Sequence, residues 1–301
     1  MAESTLTRCG FIALIGAPNS GKSTLMNCVM GSKVSIVTHK VQTTRTRIVG
    51  VLTRDKDQII FVDTPGIFSA NRRLERAMVS AAWIGAADAD KVIFLIDSER
   101  GLDDDVQLII DSLKKSGKSV YAALNKIDLI PRAGLLKLAE LLESTKCFEE
   151  IFMVSALKGD GVDDLLSTIS ESLPTGPWLY PEDQLSDMNE RLFAAEITRE
   201  KLFLLLHQEL PYSLTVETDG WEERKDGSVK INQVIFVERK GHKGIVLGNR
   251  GQQVKRVGEA ARKELENHLD RRVHLFLFVK VRQNWREDPD RYKQMGLDFE
   301  I

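Results

Sequence analysis

The sequence predicts two domains, an α/β domain with a mostly parallel sheet and then a smaller α+β domain. Up to about residue 172, short β-rich runs alternate with helical patterns, which is typical of a sheet covered by helices on both faces. Pro174-Thr-Gly-Pro-Trp-Leu-Tyr-Pro181 then interrupts the alternation with three prolines and a glycine, a composition that favours a semi-rigid linker. Beyond it the pattern changes. We therefore expect the first domain at 1–173, the linker at 174–185 and the second domain at 186–301.

Six strands and five helices are predicted before the linker. The strands are expected at Phe11–Gly16, Arg47–Leu52, Ile59–Asp63, Val92–Asp97, Val120–Asn125 and Ile151–Ser155. The helices are expected at Lys22–Met30, Asn71–Ala87, Asp103–Lys115, Arg132–Ser144 and Val162–Ser172. Only residues 53–58 separate the second and third strands, which is too short for a crossover helix, so this pair is predicted to form an antiparallel hairpin.

The second domain is predicted to follow the order α-β-β-α-α-β. Its elements are expected at Ser186–Gln208, Leu214–Glu223, Ser228–Arg239, a short helix near Gly244, Gln252–Leu269 and Arg272–Val281. Between Arg239 and Arg282 there are twelve basic residues against four acidic ones, a net charge of +8 in a chain whose overall charge is −2. This segment therefore carries the electrostatic signal for a polyanionic partner.

Composition excludes several other classes of protein. The 301 residues are 43% hydrophobic and 29% charged, which is ordinary for a globular protein. No apolar run reaches the roughly 18–20 residues of a membrane-spanning helix, and the charged stretch Met1–Arg8 does not begin a signal peptide. The three cysteines have no metal-ligand spacing, which favours a reducing cytosol.

A phosphate-binding loop is predicted at Gly16-Ala-Pro-Asn-Ser-Gly21-Lys22-Ser23, which fits G-x-x-x-x-G-K-[ST] between a strand and a helix. The glycines let backbone N–H groups curl around phosphate oxygens, and the helix N-terminus adds its positive end. In this motif Lys22 reaches the β- and γ-phosphates and the Ser23 hydroxyl binds Mg²⁺.

Three further motifs follow later strands. Asp63-Thr-Pro-Gly66 suits a turn that holds Mg²⁺ through Asp63 and senses the γ-phosphate through the Gly66 N–H. In Asn125-Lys-Ile-Asp128, the aspartate can accept hydrogen bonds from the guanine N1–H and 2-amino groups, which adenine lacks. Ser155-Ala156 offers a backbone N–H to the guanine O6. A metabolic kinase that uses ATP is the rival interpretation, and the Asn125–Asp128 motif argues against it.

With these motifs in place, the sequence resembles the translation-factor-related GTPases, and more closely the Era family. The resemblance rests on Lys33-Val-Ser-Ile-Val-Thr38 leading into Gln42-Thr-Thr-Arg45, on Glu209-Leu-Pro-Tyr-Ser213 and on the two-domain plan, and it covers nearly the whole chain. It implies a Ras-like G domain, GTP or GDP as the ligand, and a threonine that closes on Mg²⁺ and the γ-phosphate. Of Thr43 and Thr44, we choose Thr44 for this role.

The same resemblance raises the question of how water is activated. Ile67 stands where the best-known GTPases carry a water-orienting glutamine, so intrinsic hydrolysis is expected to be slow. In related GTPases an asparagine at the position of Asn19 helps to hold a potassium ion, although Asn19 could equally just shape the turn. The predicted catalytic residues are Lys22, Thr44, Gly66 and Asn19, and the predicted Mg²⁺ ligands are Ser23, Thr44 and Asp63. The predicted nucleotide contacts are Gly16, Ala17, Pro18, Asn19, Ser20, Gly21, Lys22, Ser23, Thr24, Thr43, Thr44, Asp63, Thr64, Pro65, Gly66, Ile67, Asn125, Lys126, Ile127, Asp128, Ser155 and Ala156.

The second domain is predicted to be a type II KH domain. Gly248-Asn249-Arg250-Gly251 joins two helices inside the basic segment, as does the G-x-x-G loop with which KH domains clamp four nucleotides. We expect Val254, Val257, Ala261 and Leu265 to be buried and Lys255, Arg256, Arg262 and Lys263 to face outward. The RNA-binding residues are predicted to be Gly248, Asn249, Arg250, Gly251, Lys255 and Arg256, with a merely solvated basic face as the alternative.

The resemblance implies partners that composition does not reveal. They are 16S ribosomal RNA near its 3′ end and the small ribosomal subunit, whose assembly the protein would serve. A cytoplasmic monomer with a peripheral fraction at the inner membrane is expected, and DNA is not expected as a ligand. The rival within this interpretation is a passive RNA-binding module that holds nucleotide without turning it over.

Overall fold

The computed structural model describes residues 6–206 and 210–301, and the chain divides into two compact units. Unit 1 runs to Asp187 and also contains Tyr292–Ile301, and unit 2 is Met188–Arg291. Residues 1–5 and 207–209 lie outside the described residues, and with them lie His207, the predicted helix end at Gln208, Glu209 of the Era-like motif and most of the charged N-terminal stretch. In the described part of the chain, no helix combines the length and the apolar character that crossing a membrane requires.

Unit 1 is built on a six-stranded sheet in the order β2-β3-β1-β4-β5-β6. The strands are β1 (Arg8–Ile15), β2 (Ile48–Arg54), β3 (Asp57–Asp63), β4 (Lys91–Asp97), β5 (Val120–Asn125) and β6 (Ile151–Met153). All neighbours are parallel except β2 and β3, which pair antiparallel from Ile48–Asp63 to Arg54–Asp57. The α/β prediction and the predicted hairpin are both confirmed.

Five helices follow the strands of this sheet. They are α1 (Lys22–Met30), α2 (Arg73–Asp88), α3 (Asp104–Ser116), α4 (Arg132–Ser144) and α5 (Val162–Ser172). Local sequence sets their ends: Asp103, for example, caps α3 by accepting a hydrogen bond from the Val106 N–H at 3.0 Å. The central strands are apolar almost throughout and buried on both faces, as parallel strands between helical layers must be. The loops at the carboxyl ends of these strands therefore start from a buried sheet.

The chain that follows α5 stays packed on unit 1. The Gln58 amide donates to the Tyr180 carbonyl at 2.8 Å and accepts from the N–H groups of Leu179 and Tyr180 at 2.9 and 3.0 Å. The Trp178 indole donates to the Lys56 carbonyl at 3.2 Å. Much of the proline-rich segment is thus bound to the β2–β3 hairpin. At the other end of the chain, the Phe299 ring lies 4.6 Å from the Arg73 guanidinium of the same unit.

Unit 2 packs helices against one face of a three-stranded sheet. It comprises α6 (Glu190–Leu205), β7 (Leu214–Glu223), β8 (Val229–Val237), α7 (Lys240–Leu247), α8 (Gln252–Leu269) and β9 (Val273–Val281). A last short helix, α9 (Pro289–Gln294), spans the boundary between the units. The sheet order is β7-β8-β9, with β8 antiparallel to β7 and parallel to β9. The predicted order of elements is confirmed.

Helix boundaries differ from the prediction by one or two residues in α2 and α3, and by more in α6. Helix α6 begins at Glu190 and not at Ser186, because the Asn189 side chain accepts the Leu192 N–H at 2.8 Å and caps the helix there. The core of unit 2 combines Leu202 of α6, Ile235 and Val279 of the sheet, and the α8 residues that the pattern predicted. Val257, Ala261 and Leu265 are buried, while Val254 is only half-buried against the same cluster.

Candidate functional site

The loop between β1 and α1 is held in a tight conformation by two glycines. Gly21 has φ +99°, and a Cβ atom there would lie 2.1 Å from the Asn125 amide nitrogen. Gly16 is equally confined, since its Cβ would lie 2.4 Å from the Leu95 carbonyl oxygen. Only glycine fits both positions, and the loop therefore presents backbone N–H groups rather than side chains at the start of α1.

Lys22 lies buried beneath this loop. Its ammonium donates hydrogen bonds to the carbonyl oxygens of Gly16 and Ala17, both at 3.1 Å. Burial lowers the pKa of Lys22 to about 8, and the opposing charge of Asp63 only partly offsets this. The lysine is thus a desolvated cation held at the loop, where a phosphate would stabilise its charged form.

Four oxygen-bearing side chains meet beside Lys22. The Ser23 hydroxyl donates to Asp63 Oδ2 at 2.6 Å and lies 2.9 Å from Thr44 Oγ1, and the Ser35 hydroxyl donates to the same carboxylate at 3.0 Å. Burial raises the pKa of Asp63, and its buried Oδ1 has no hydrogen-bond partner within the described residues. A hard cation such as Mg²⁺ takes oxygen ligands, often through water, so this set of donors fits it.

A second group of residues joins the loops at the ends of β5 and β6. Asn125 donates to the Ser20 carbonyl at 2.8 Å and accepts the Ala156 N–H at 2.9 Å, so one buried amide ties the phosphate loop to the loop after β6. The sequence predicts that Ser155-Ala156 offers a backbone N–H to guanine O6, but both N–H groups are engaged inside the protein, since the Ser155 N–H donates to the Asp160 carbonyl at 2.9 Å. The Ser155 hydroxyl donates to Asp128 Oδ1 at 2.7 Å and lowers the pKa of that carboxyl.

These loops enclose one cavity of about 630 Å³. Predicted residues that line it are Pro18, Asn19, Gly21, Lys22, Ser23, Thr24, Thr43, Thr44, Gly66, Asn125, Lys126, Asp128, Ser155 and Ala156. The remaining predicted residues are not among those that line it: Gly16, Ala17, Ser20, Asp63, Thr64, Pro65, Ile67 and Ile127. The structure thus brings four motifs, separated by up to about 130 residues, to one edge of the sheet.

Several lining residues were not predicted. They are Ile36, Val37, Thr38, His39, Gln42, Asp97, Glu99, Arg100, Leu129 and Leu157. Asp97 ends β4, and the Lys126 ammonium donates to it at 2.5 Å, which fixes the lysine stem along the cavity. Asp97 could have been predicted from the sequence, because it is a polar residue at the end of a buried parallel strand, where such sheets bind their ligands. The Gln42 amide donates to Glu75 at 3.3 Å, and Glu75 also accepts two N–H groups at the start of α2.

The position after Gly66, where a glutamine would orient the attacking water, is occupied by Ile67. Ile67 is buried in the core, and its N–H donates to the Gly16 carbonyl at 3.1 Å. Gly66 lies against Pro18, so close that an added Cβ would meet Pro18 atoms at 3.0 Å. Asn19 has φ 65°, and its amide donates to the His39 carbonyl at 2.9 Å, which links the phosphate loop to residues 37–44. Asn19 is thus exposed at the cavity rim beside main-chain oxygen.

In unit 2 the G-x-x-G sequence forms the sharp turn between α7 and α8. Gly248, Arg250 and Gly251 all have positive φ, and Asn249 and Arg250 are exposed. Lys255, Arg256, Arg262 and Lys263 of α8 are exposed as predicted. Of these four, only Lys255 forms an ion pair within residues 6–206 and 210–301, at 3.9 Å from Glu259. The turn and the helix after it therefore present positive charge that acidic side chains leave largely uncompensated.

Tryptophan rings can either stack on nucleic-acid bases or pack within the protein, and three tryptophans of this chain make hydrogen bonds inside the protein. Trp285 is buried and its indole donates to the Ser213 carbonyl at 3.2 Å. The Trp221 indole donates to Glu223 at 2.9 Å. Together with Trp178, which is bonded to the hairpin of unit 1, they favour the packing role.

Comparison with known proteins identifies the same two modules. Residues 11–126 match the family model described as 50S ribosome-binding GTPase, and residues 209–286 match the KH domain model. The protein called GTPase Era of Brucella suis biovar 1 is 56% identical over 297 residues, with 99% of this chain and 96% of that one covered. GTPase Era of Dinoroseobacter shibae is 59% identical over 296 residues, with 97% and 96% covered.

Solved structures agree over nearly the full length. A crystal structure of an Aquifex aeolicus Era variant bound to GDP and aluminium fluoride superposes with a TM-score of 0.91 at 38% identity, covering 96% of this chain and 99% of that one. Era in complex with MgGDPNP and nucleotides 1506–1542 of 16S ribosomal RNA gives a TM-score of 0.92 at 39% identity and the same coverage. With identity of this order over almost every residue, and with the nucleotide cavity and the KH turn both present, the chain belongs to the Era family of GTPases.

Proposed function

We propose that this protein is a GTP-hydrolysing switch that binds 16S ribosomal RNA near its 3′ end and serves assembly of the small ribosomal subunit. The observation that carries the proposal is the single cavity in which the phosphate loop, the Asp63 turn and the Asn125–Asp128 loop meet. Its shape and donor pattern suit a guanine nucleotide, because Asp128 stands at the end where the base would lie.

In the proposed reaction each residue acts on a defined part of the nucleotide. Lys22 neutralises β- and γ-phosphate oxygens, and the backbone N–H groups of the loop bind the phosphates. Ser23, Thr44 and, through water, Asp63 would hold Mg²⁺, which when bound supplies charge neutralisation between the phosphates. The Gly66 N–H senses the γ-phosphate, so Thr44 and Gly66 would distinguish the triphosphate state from the diphosphate state.

The catalytic group that replaces the glutamine is proposed to be a potassium ion held at Asn19. The support is that Asn19 lies at the rim of the cavity and contacts the backbone of residues 37–44 through His39. Main-chain carbonyl oxygens of that segment, together with the Asn19 amide oxygen, would provide the neutral oxygen ligands that a monovalent cation takes. A positive charge there would stabilise the negative charge that develops on the transferring phosphoryl group.

The RNA is proposed to bind at the turn between α7 and α8. The N–H groups of Gly248–Gly251 would approach phosphates closely, with Arg250, Lys255 and Arg256 supplying charge. A relative of this chain holds nucleotides 1506–1542 of 16S ribosomal RNA, and this supports the same RNA as the ligand here. We further propose a cytoplasmic monomer with a peripheral fraction at the inner membrane.

Two measurements on the full chain test this function. Nucleotide hydrolysis is measured under single-turnover conditions with GTP and, as the control, with ATP. Only GTP is expected to be hydrolysed. Binding of an RNA that corresponds to nucleotides 1506–1542 is expected to differ between the GTP-analogue and GDP states, while an RNA of equal length and shuffled sequence binds more weakly. Nucleotide bound without any turnover would favour the passive RNA-binding module and contradict the switch.

A further inference from the structure

The outer face of the unit 2 sheet carries two exposed phenylalanines on its edge strand. Side chains alternate along β9, and because Leu277 and Val279 pack into the core on the helix side, Phe276 and Phe278 stand on the opposite face. Phe276 is 46% exposed and Phe278 is 52% exposed. Two half-exposed aromatic rings side by side on one face are typical of a binding surface and not of a core.

Part of that face on β7 and β8 is covered by Arg291 of the same unit. The Arg291 guanidinium lies 4.4 Å from the Phe236 ring of β8 and pairs with Glu217 of β7. Val234 of β8, which lies opposite Glu217, is buried. This cover reaches β7 and β8 but leaves the β9 rings open. The exposed rings are therefore a distinct part of the face, which we name the β9 strip: His274, Phe276, Phe278 and Lys280.

The charge of the β9 strip indicates the chemistry of its partner. Lys280 is exposed and forms no ion pair with any residue that the structure describes, and the strip itself contains no acidic residue. On the neighbouring strand, Asn232 lies opposite Phe276, and Lys230, opposite His274, is paired with Glu222. Two exposed rings with His274 on one side and Lys280 on the other match single-stranded nucleic acid, whose bases stack on rings while its phosphates meet cations.

We propose that the β9 strip is a second RNA-binding surface, on which unpaired bases of a single strand stack against Phe276 and Phe278. The inference rests on the proposed RNA-binding function and extends it to the face opposite the helices. Strand β9 is the sheet edge against which α7 and α8 pack, so a strand that leaves the turn at Gly248–Gly251 can pass around this edge. Residues two apart on a strand are separated by about 6.6–6.8 Å, which gives two successive unstacked bases one ring each.

The test compares RNAs of two lengths on the full-length protein. A four-nucleotide RNA from the 3′ end of 16S ribosomal RNA fills the G-x-x-G turn alone, and a twelve-nucleotide RNA also reaches the β9 strip. The Phe276→Ala/Phe278→Ala double variant is expected to bind the twelve-nucleotide RNA at least about tenfold more weakly and the four-nucleotide RNA unchanged, because loss of a stacking ring weakens binding about fivefold or more per base. Phe278→Tyr, which keeps a ring, is expected to retain affinity for the longer RNA.

Two controls separate stacking from indirect effects. Leu204→Ala removes an apolar side chain of α6 in the same unit that is 48% exposed. This variant is expected to bind the four-nucleotide and the twelve-nucleotide RNA as tightly as the parent does. A twelve-nucleotide RNA with abasic residues outside the first four is expected to bind the parent as weakly as the intact RNA binds the double variant.

The possible contrary results are distinct. Unchanged affinity of the double variant for the longer RNA refutes the proposal. An equal loss of affinity for both RNAs also refutes it, because that result indicates damage to the G-x-x-G turn. Self-association of the parent that the double variant abolishes would make the strip a contact between copies of the chain. A parent that binds neither RNA refutes the proposed function, and this inference with it.

Discussion

Replacing Asn125 by alanine tests how the cavity is assembled. The Asn125 amide is 1% exposed and bridges the Ser20 carbonyl at 2.8 Å and the Ala156 N–H at 2.9 Å. The substitution leaves both backbone groups without their partner, and each unsatisfied buried group costs about 1–3 kcal/mol. We therefore expect the free energy of unfolding to fall by about 2–6 kcal/mol. Because the phosphate loop and the Ser155–Ala156 loop lose their common anchor, GTP affinity is expected to fall by at least about tenfold, or about 1.4 kcal/mol.

The assay pairs urea unfolding with a fluorescence titration of GTP. Gln58→Ala is the matched control, since that buried amide also makes hydrogen bonds to backbone groups of unit 1, at Leu179 and Tyr180, but lies away from the cavity. It is expected to lower stability and to leave GTP affinity unchanged. If Asn125→Ala binds GTP as tightly as Gln58→Ala does, the amide does not hold the nucleotide site together and the reasoning is wrong.

Three further expectations concern the nucleotide. Asp128→Asn is expected to shift preference from GTP to xanthosine triphosphate, because an amide then faces a base with oxygen in place of the 2-amino group; unchanged GTP affinity would contradict the guanine assignment. Lys22→Ala is expected to abolish tight triphosphate binding, because the loop loses the cation that meets the phosphates, while the circular dichroism spectrum stays that of the folded parent; normal turnover in this variant would contradict the phosphate-loop assignment. Turnover is expected to be faster in potassium than in sodium, with the difference lost in Asn19→Ala; equal rates in the parent would exclude the potassium proposal.

Much of the fold could be predicted because local pattern and tertiary structure agree. Strands β4 and β5 are continuous apolar runs, and α1, α4, α5 and α8 have the ends that the sequence indicates. The final ten residues, in contrast, belong with unit 1 although they follow unit 2 in the chain. That association depends on contacts across more than 200 residues, such as Arg73 with Phe299, and no local pattern encodes it.

The candidate site also contains residues that local sequence predicts and residues that only the tertiary structure places there. The motif residues could be found because phosphate and base recognition require particular residue types at the ends of strands, and the structure brings most of them to one cavity. Residues such as His39 and Arg100 reach the cavity only through the path of their loops, which local sequence does not determine. The placement of Ile67 in the core could not be read from its motif either, because side-chain direction after a turn depends on the packing around it. The roles of the individual residues stay predictions.

RNA binding by an Asn249→Asp/Arg250→Asp double variant is the most direct measurement of the link between a GTP switch and an RNA-binding KH domain. Two carboxylates at the turn between α7 and α8 would face phosphates at close range, so the variant is expected to lose RNA binding and to keep the GTP affinity of the parent. The control is Arg224→Asp/Lys225→Asp in the exposed turn after β7, a larger change of charge in the same unit that is expected to spare RNA binding.

Fluorescence titrations of both ligands against parent, variant and control decide the question. In the parent, the logarithm of RNA affinity is expected to fall linearly with the logarithm of salt concentration, by roughly 0.7 per phosphate contacted. Loss of RNA binding in the Asn249→Asp/Arg250→Asp variant alone, with GTP affinity intact in all three proteins, is the predicted result. If that variant binds single-stranded ribosomal RNA as tightly as the parent, the turn is not an RNA clamp and the basic segment is a solvated or membrane-facing surface.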